Sequence, residues 1–78
     1  MQGNGDDPVE LSVVVPFFNE EDNIGRLYEK LSAVLDELPY TCEMVFVDDG
    51  SKDRTFERAR ELALGNPRLR VIRFRRNY

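Results

Sequence analysis

Three short stretches hold the side chains able to do chemistry. Asp48-Asp49-Gly50-Ser51 sets two carboxylates side by side ahead of a glycine. Neighbours on a strand point to opposite faces, so both acids reach one ligand only if the chain turns there. Gly50 permits that turn. A carboxylate so placed accepts a hydrogen bond from a nucleobase ring N–H or from a ribose hydroxyl. The same four residues also make a common turn and helix cap. Two adjacent acids without further oxygen ligands nearby are a poor cradle for a divalent ion.

The second stretch is Pro16 to Glu20. Glu20 either reaches a ligand or simply favours the positive end of a following helix. Phe17 and Phe18 stack on a base or join the core, and alternation sends one of them outward. The third stretch is basic: Arg68, Arg70, Arg73, Arg75 and Arg76 occur with no acid among them. Arginines on the solvent side of a strand give that pattern, and so does a surface that attracts phosphate. With no histidine and a single cysteine, Cys42, the chain contains no Ser-His-Asp or Cys-His mechanism, no disulfide framework and no zinc site of the usual ligands. Cys42 reads as a small packed hydrophobe. The net charge of -4 argues against broad nucleic-acid binding.

The elements that must position these residues are legible as periodicities. Residues 11–15 and 43–48 are short, apolar, β-branched runs that suit strands buried on both faces of a parallel sheet. Residues 20–37 carry Ile24, Leu27, Tyr28, Leu31, Val34 and Leu35 at helical spacing, with Asn19 as the expected N-cap and Pro39 as the stop. Residues 53–64 form a second helix, capped by Ser51 or Asp53, with Phe56, Ala59, Leu62 and Ala63 inward and Gly65 and Pro67 closing it. Residues 70–74 make a third strand. The fold class is therefore α/β: a three-layer Rossmann-like βαβαβ half-domain with a parallel sheet in the order 3-2-1. Ligands of such sheets bind beyond the carboxyl ends of the strands, where all three stretches fall. Neither a G-x-G-x-x-G nor a P-loop occurs, so a nucleotide would be gripped by base and ribose.

The 78 residues allow one small domain. Residues 1–10 read as a flexible lead-in and 11–78 as the domain. Its arginine-rich end carries no stop signal, which reads as truncation and leaves the 11–15 strand as an apolar edge prone to self-association. No apolar run approaches the ~18 residues of a membrane span and no secretory signal precedes the domain, giving a cytoplasmic expectation.

Taken in order, VVVPFFNEEDNI (13–24), VFVDDGSKDRT (45–55) and RVIRFRRNY (70–78) resemble the start of the family 2 glycosyltransferases of the GT-A fold. The likeness is greatest to the polyprenyl-phosphate mannosyl- and glucosyltransferases. It implies an inverting transferase that moves a sugar from a UDP- or GDP-sugar to a lipid-phosphate acceptor by direct displacement, the full-length enzyme working at the cytoplasmic face of the membrane. Carried over by motif, Pro16, Phe18, Glu20, Asp48 and Asp49 border the nucleoside, with Asp49 on the base N–H. Arg76 and Asn77 lie close to the diphosphate, and Asn19, Gly50 and Ser51 shape the turns. The family's Mg²⁺ or Mn²⁺ sits on an Asp-x-Asp motif that this chain does not contain, so the piece by itself is expected to bind rather than turn over. The competing expectation is a non-catalytic α/β module that self-associates.

Overall fold

A computed structural model describes residues 8–74. The strands are β1 (Leu11–Phe17), β2 (Cys42–Asp48) and β3 (Leu69–Arg73), and the helices are α1 (Ile24–Asp36) and α2 (Thr55–Leu64). All pairing is parallel, in the order β1-β2-β3. This is the expected α/β half-domain. Arg76 and Asn77, assigned to the diphosphate, lie outside the described residues.

Register decides which side chains meet. Val15 aligns with Phe46 and Phe46 with Val71, while Phe17 aligns with Asp48 and Asp48 with Arg73. Because side chains alternate, these residues share one face with Met44 and Leu69. Onto that face pack Ile24, Tyr28, Leu31 and Leu35 of α1, and Ala59, Leu62 and Ala63 of α2. The Phe46 ring is the hub, edge-on to Phe17 at 4.7 Å and to Tyr28 at 6.3 Å. Burying a residue of this size contributes roughly 1.5–3 kcal/mol.

Both helices therefore lie on one side of the sheet, which corrects two expectations. The described residues form two layers rather than three, and the strands are buried on one face rather than both. Val14 and Ile72, on the opposite face, are exposed. The reason is topological. Two crossovers of the same hand, laid down in one direction across a sheet, both return on the same side.

The start of α1 is also corrected. It begins at Ile24, with Asn23 in the N-cap position and no acid in its first turn. Asn19 instead adopts the left-handed region at φ 53°, a conformation that asparagine tolerates better than most residues. Its side chain is used elsewhere, as described below. At α2 the N-cap position falls on Arg54 rather than Ser51 or Asp53. The expected stripe on α1 was too wide: Leu27 and Val34 are exposed, since a helix on a single-sided sheet buries one narrow face. Cys42 packs in the core as expected.

Candidate functional site

The carboxyl ends of β1 and β2 open into two loops, 18–23 and 49–54, which brace each other. From the first loop, the Asn19 N–H donates to Ser51 Oγ at 2.8 Å, the Glu20 N–H to Thr55 Oγ1 at 2.8 Å and the Glu21 N–H to Asp53 Oδ2 at 3.3 Å. From the second, the Lys52 N–H donates to Asn19 Oδ1 at 2.9 Å and the Arg54 N–H to Glu21 Oε1 at 3.3 Å. Each loop thus satisfies the other's backbone with its side chains. Short polar residues that would ordinarily cap helices here cap a neighbouring loop. This explains why Asn19 sits five residues ahead of the helix it is expected to start.

Asp53 is the most heavily used acceptor. The Thr55 hydroxyl donates to its carboxylate, as do the backbone N–H groups of Thr55 and Glu21. The Thr55 hydroxyl chiefly, then those amides, hold its carboxyl below the ordinary carboxylate value, against the opposing effect of burial.

The residues expected to meet a ligand are brought together in part. Gly50 has φ 81° and makes the turn directly after the adjacent acids. Asp49, just ahead of it, is tied to β1, its N–H donating to the Phe17 carbonyl at 2.9 Å, and the residue is half-buried. Of the paired aromatics, Phe17 is core and Phe18 is exposed at the strand end. Pro16 is exposed within β1, an edge position where the missing N–H is tolerated. Glu20 is half-buried, and its Oε1 accepts the Asn23 side-chain amide at 3.0 Å. Asp48 is the outlier. It is 2% exposed and lies on the helix side, with Oδ1 accepting the Ser51 N–H at 3.1 Å.

Two features were missed in the sequence. One is the pairing of the loops, although an excess of Asn, Ser, Asp and Thr over the caps two helices need was its signal. The other is Arg73, which lies against both Asp48 and the Phe56 ring. By sequence alone it groups with the basic end. Three of those arginines are in fact paired with acids across the fold: Arg68 with Asp36 at 2.7 Å, Arg70 with Glu43 at 3.8 Å and Arg73 with Asp48 at 3.6 Å.

A metal cradle is not assembled from this part of the chain. Among the described residues, no group of three or more Cys, Asp or Glu is placed to hold an ion. Asp48 and Asp49, the adjacent pair, point to different environments. No helix among the described residues is long and apolar enough to cross a membrane.

Comparison with known proteins places this geometry. The family described as Glycosyl transferase family 2 matches residues 12–78, a span that includes both braced loops. An uncharacterized glycosyltransferase of Bacillus subtilis, YkcC, is 44% identical over 70 residues, covering 90% of this chain and 22% of that protein. A dodecaprenyl-phosphate galacturonate synthase of Rhizobium johnstonii is 42% identical over 76 residues, with 92% and 22% covered. A dolichol-phosphate mannosyltransferase of Pyrococcus furiosus is 42% identical over 65 residues, with 83% and 18% covered. The chain spans about a fifth of the length of these relatives. On the match across both loops and all three strands, the chain belongs to glycosyltransferase family 2.

Proposed function

We propose that this chain is the donor-nucleotide portion of a transferase that moves a sugar from a UDP- or GDP-sugar to a polyprenyl-phosphate acceptor. The observation that carries the reading is the cross-bracing of the two loops. It holds Pro16, Phe18 and Glu20 of one motif beside Asp49 and Gly50 of the other, at the carboxyl ends of the strands where ligands of parallel sheets bind. The relatives named for dodecaprenyl-phosphate and dolichol-phosphate chemistry support the acceptor class.

In this reading Phe18 offers its exposed ring to the base, Asp49 accepts the base N–H and Glu20 faces the ribose. The chain binds and positions the donor. An acceptor phosphate oxygen displaces the nucleoside diphosphate at the anomeric carbon with inversion. Divalent-metal chemistry would lie with residues other than these, since the acids among the described residues do not form a site for it. Work on a lipid carrier would set the full-length enzyme at the cytoplasmic face of a membrane.

The test is an NMR titration of the chain with uridine and guanosine diphosphates. Binding is expected in the millimolar range, about 4 kcal/mol, with shifts clustered at residues 16–20 and 48–51. Asp49→Asn is expected to weaken it by about 1.5–3 kcal/mol, because the acceptor lost is a charged one. Absence of shifts at about 10 mM of either nucleotide in a folded sample would overturn the reading and favour the non-catalytic module.

A further inference from the structure

Asp48 ends β2 with its carboxylate out of water, at 2% exposure. Oδ1 accepts the Ser51 N–H, whereas Oδ2 is buried with no hydrogen-bond partner among the described residues. A buried carboxylate costs several kcal/mol unless a counter-charge balances it. The balancing group is Arg73 at the end of β3, in register with Asp48, with Nε 3.6 Å from Oδ2. That distance makes an ion pair but is too long for a hydrogen bond. What fixes the guanidinium there is Phe56, in the first turn of α2, whose ring centroid lies 4.6 Å from the Arg73 guanidinium carbon. A guanidinium over an aromatic face is held electrostatically as well as by contact.

From Asp48 the connection runs onward. Ser51, whose N–H Asp48 holds, presents its Oγ to the Asn19 N–H at 2.8 Å. A line of contacts thus crosses the sheet from Phe56 and Arg73 through Asp48 and Ser51 to the loop after β1.

The geometry points to Arg73, seated on Phe56, as the positioning residue for the Asp48–Ser51 turn, acting through the Asp48 carboxylate. Asp48 is then the buried post of the turn, and Asp49 the member of the pair that faces a ligand. This assignment of Asp48 and Asp49 deepens the donor-site reading and rests on it only for the ligand. The role of Arg73 in the turn stands on the fold alone.

Amide hydrogen exchange of the 78-residue chain tests it. The reporter is the Ser51 N–H, and α1 amides are the reference for global opening. Arg73→Gln is expected to speed Ser51 exchange about ten-fold relative to that reference, and Arg73→Lys, which restores the charge but not the planar stacking, about three-fold. In an Asp48→Asn background Arg73→Gln should add nothing, because the charge it answers is gone. A Ser51 rate that merely tracks α1 in Arg73→Gln would overturn the proposal. So would an undiminished ten-fold effect in the Asp48→Asn background. If Arg73→Gln fails to fold, Phe56→Leu keeps both charges and is read instead: about two- to five-fold faster Ser51 exchange is expected, and an unchanged ratio overturns it. Uridine and guanosine diphosphate titrations of the same variants separate the two claims. If wild type binds neither, the donor-site reading fails while the exchange ratios still decide the role of Arg73.

Discussion

On the helix side of the sheet, Phe17, Cys42, Met44, Phe46 and Leu69 are each at most 5% exposed. On the other side, Val14 of β1, Ile72 of β3 and Phe74 just past β3 are 62, 41 and 55% exposed. Val14 and Ile72 are as apolar as the residues on the covered side, so side-chain type alone does not decide which of them are buried. Connectivity does, by sending both helices to one side. The covered face carries the stability of the domain, and the bare face carries apolar surface that contributes almost nothing to it. The site belongs to neither face. It sits at the strand ends, where hydrogen bonds between loops do the work that packing does below.

The largest contrast is expected between Phe46→Ala and Val14→Ala. The first removes the aromatic hub of the core and should cost about 3–5 kcal/mol, enough to unfold a domain of this size. The second should stay within about 0.5 kcal/mol. Urea or thermal melts measure both, and a comparable loss at Val14 would show that the outer face is covered after all.

The loop brace should rank between them. Thr55 is fully buried, and its hydroxyl takes the Glu20 N–H and donates to Asp53. Thr55→Val keeps the shape and strands both partners, so a loss of about 1–3 kcal/mol is expected in the same melts. A neutral result would mean that water replaces the brace without cost.

Acid should act on the brace selectively. Asp53 has its carboxyl lowered by the Thr55 hydroxyl and then by the loop amides. The stabilisation is therefore complete above the ordinary carboxylate value and fades as pH falls through the depressed one. Stability is expected to drop below about pH 4, with Asp53→Asn less stable at neutral pH and flatter across that limb. Melts at stepped pH compare the two, and parallel curves would place the acid sensitivity elsewhere.

The smallest effect on stability, but a visible one on assembly, is expected at the sheet edge. Among the described residues β1 has one neighbour, and we propose that its open side pairs with another copy. Val14→Lys should leave the melting curve within about 0.5 kcal/mol and shift sedimentation toward the monomer. A wild-type chain already monomeric at hundreds of micromolar would sink the proposal.

Much of this was legible in the chain itself. The β-branched runs ending in Pro16 and Asp48, the helical spacing from Ile24 to Leu35, and the stop at Gly65 each rest on interactions within one element. So do the turn at Gly50 and the alternation that sends Phe17 and Phe18 to opposite sides, although which of the two goes inward was left to the fold. Backbone sterics and side-chain period fix such features over a few residues, and these the sequence determined by itself. Tertiary structure decided the rest. Asn19 abandons a helix start to accept the Lys52 N–H, 33 residues away in sequence. Asp48 is buried on the helix side, where Arg73 of β3 stands against its carboxylate and Phe56 of α2 stands against the Arg73 guanidinium. An asparagine or an aspartate offers the same polar atoms to a cap, a turn or a distant loop. Only the packing of the strands determines which of those partners stands within three ångströms.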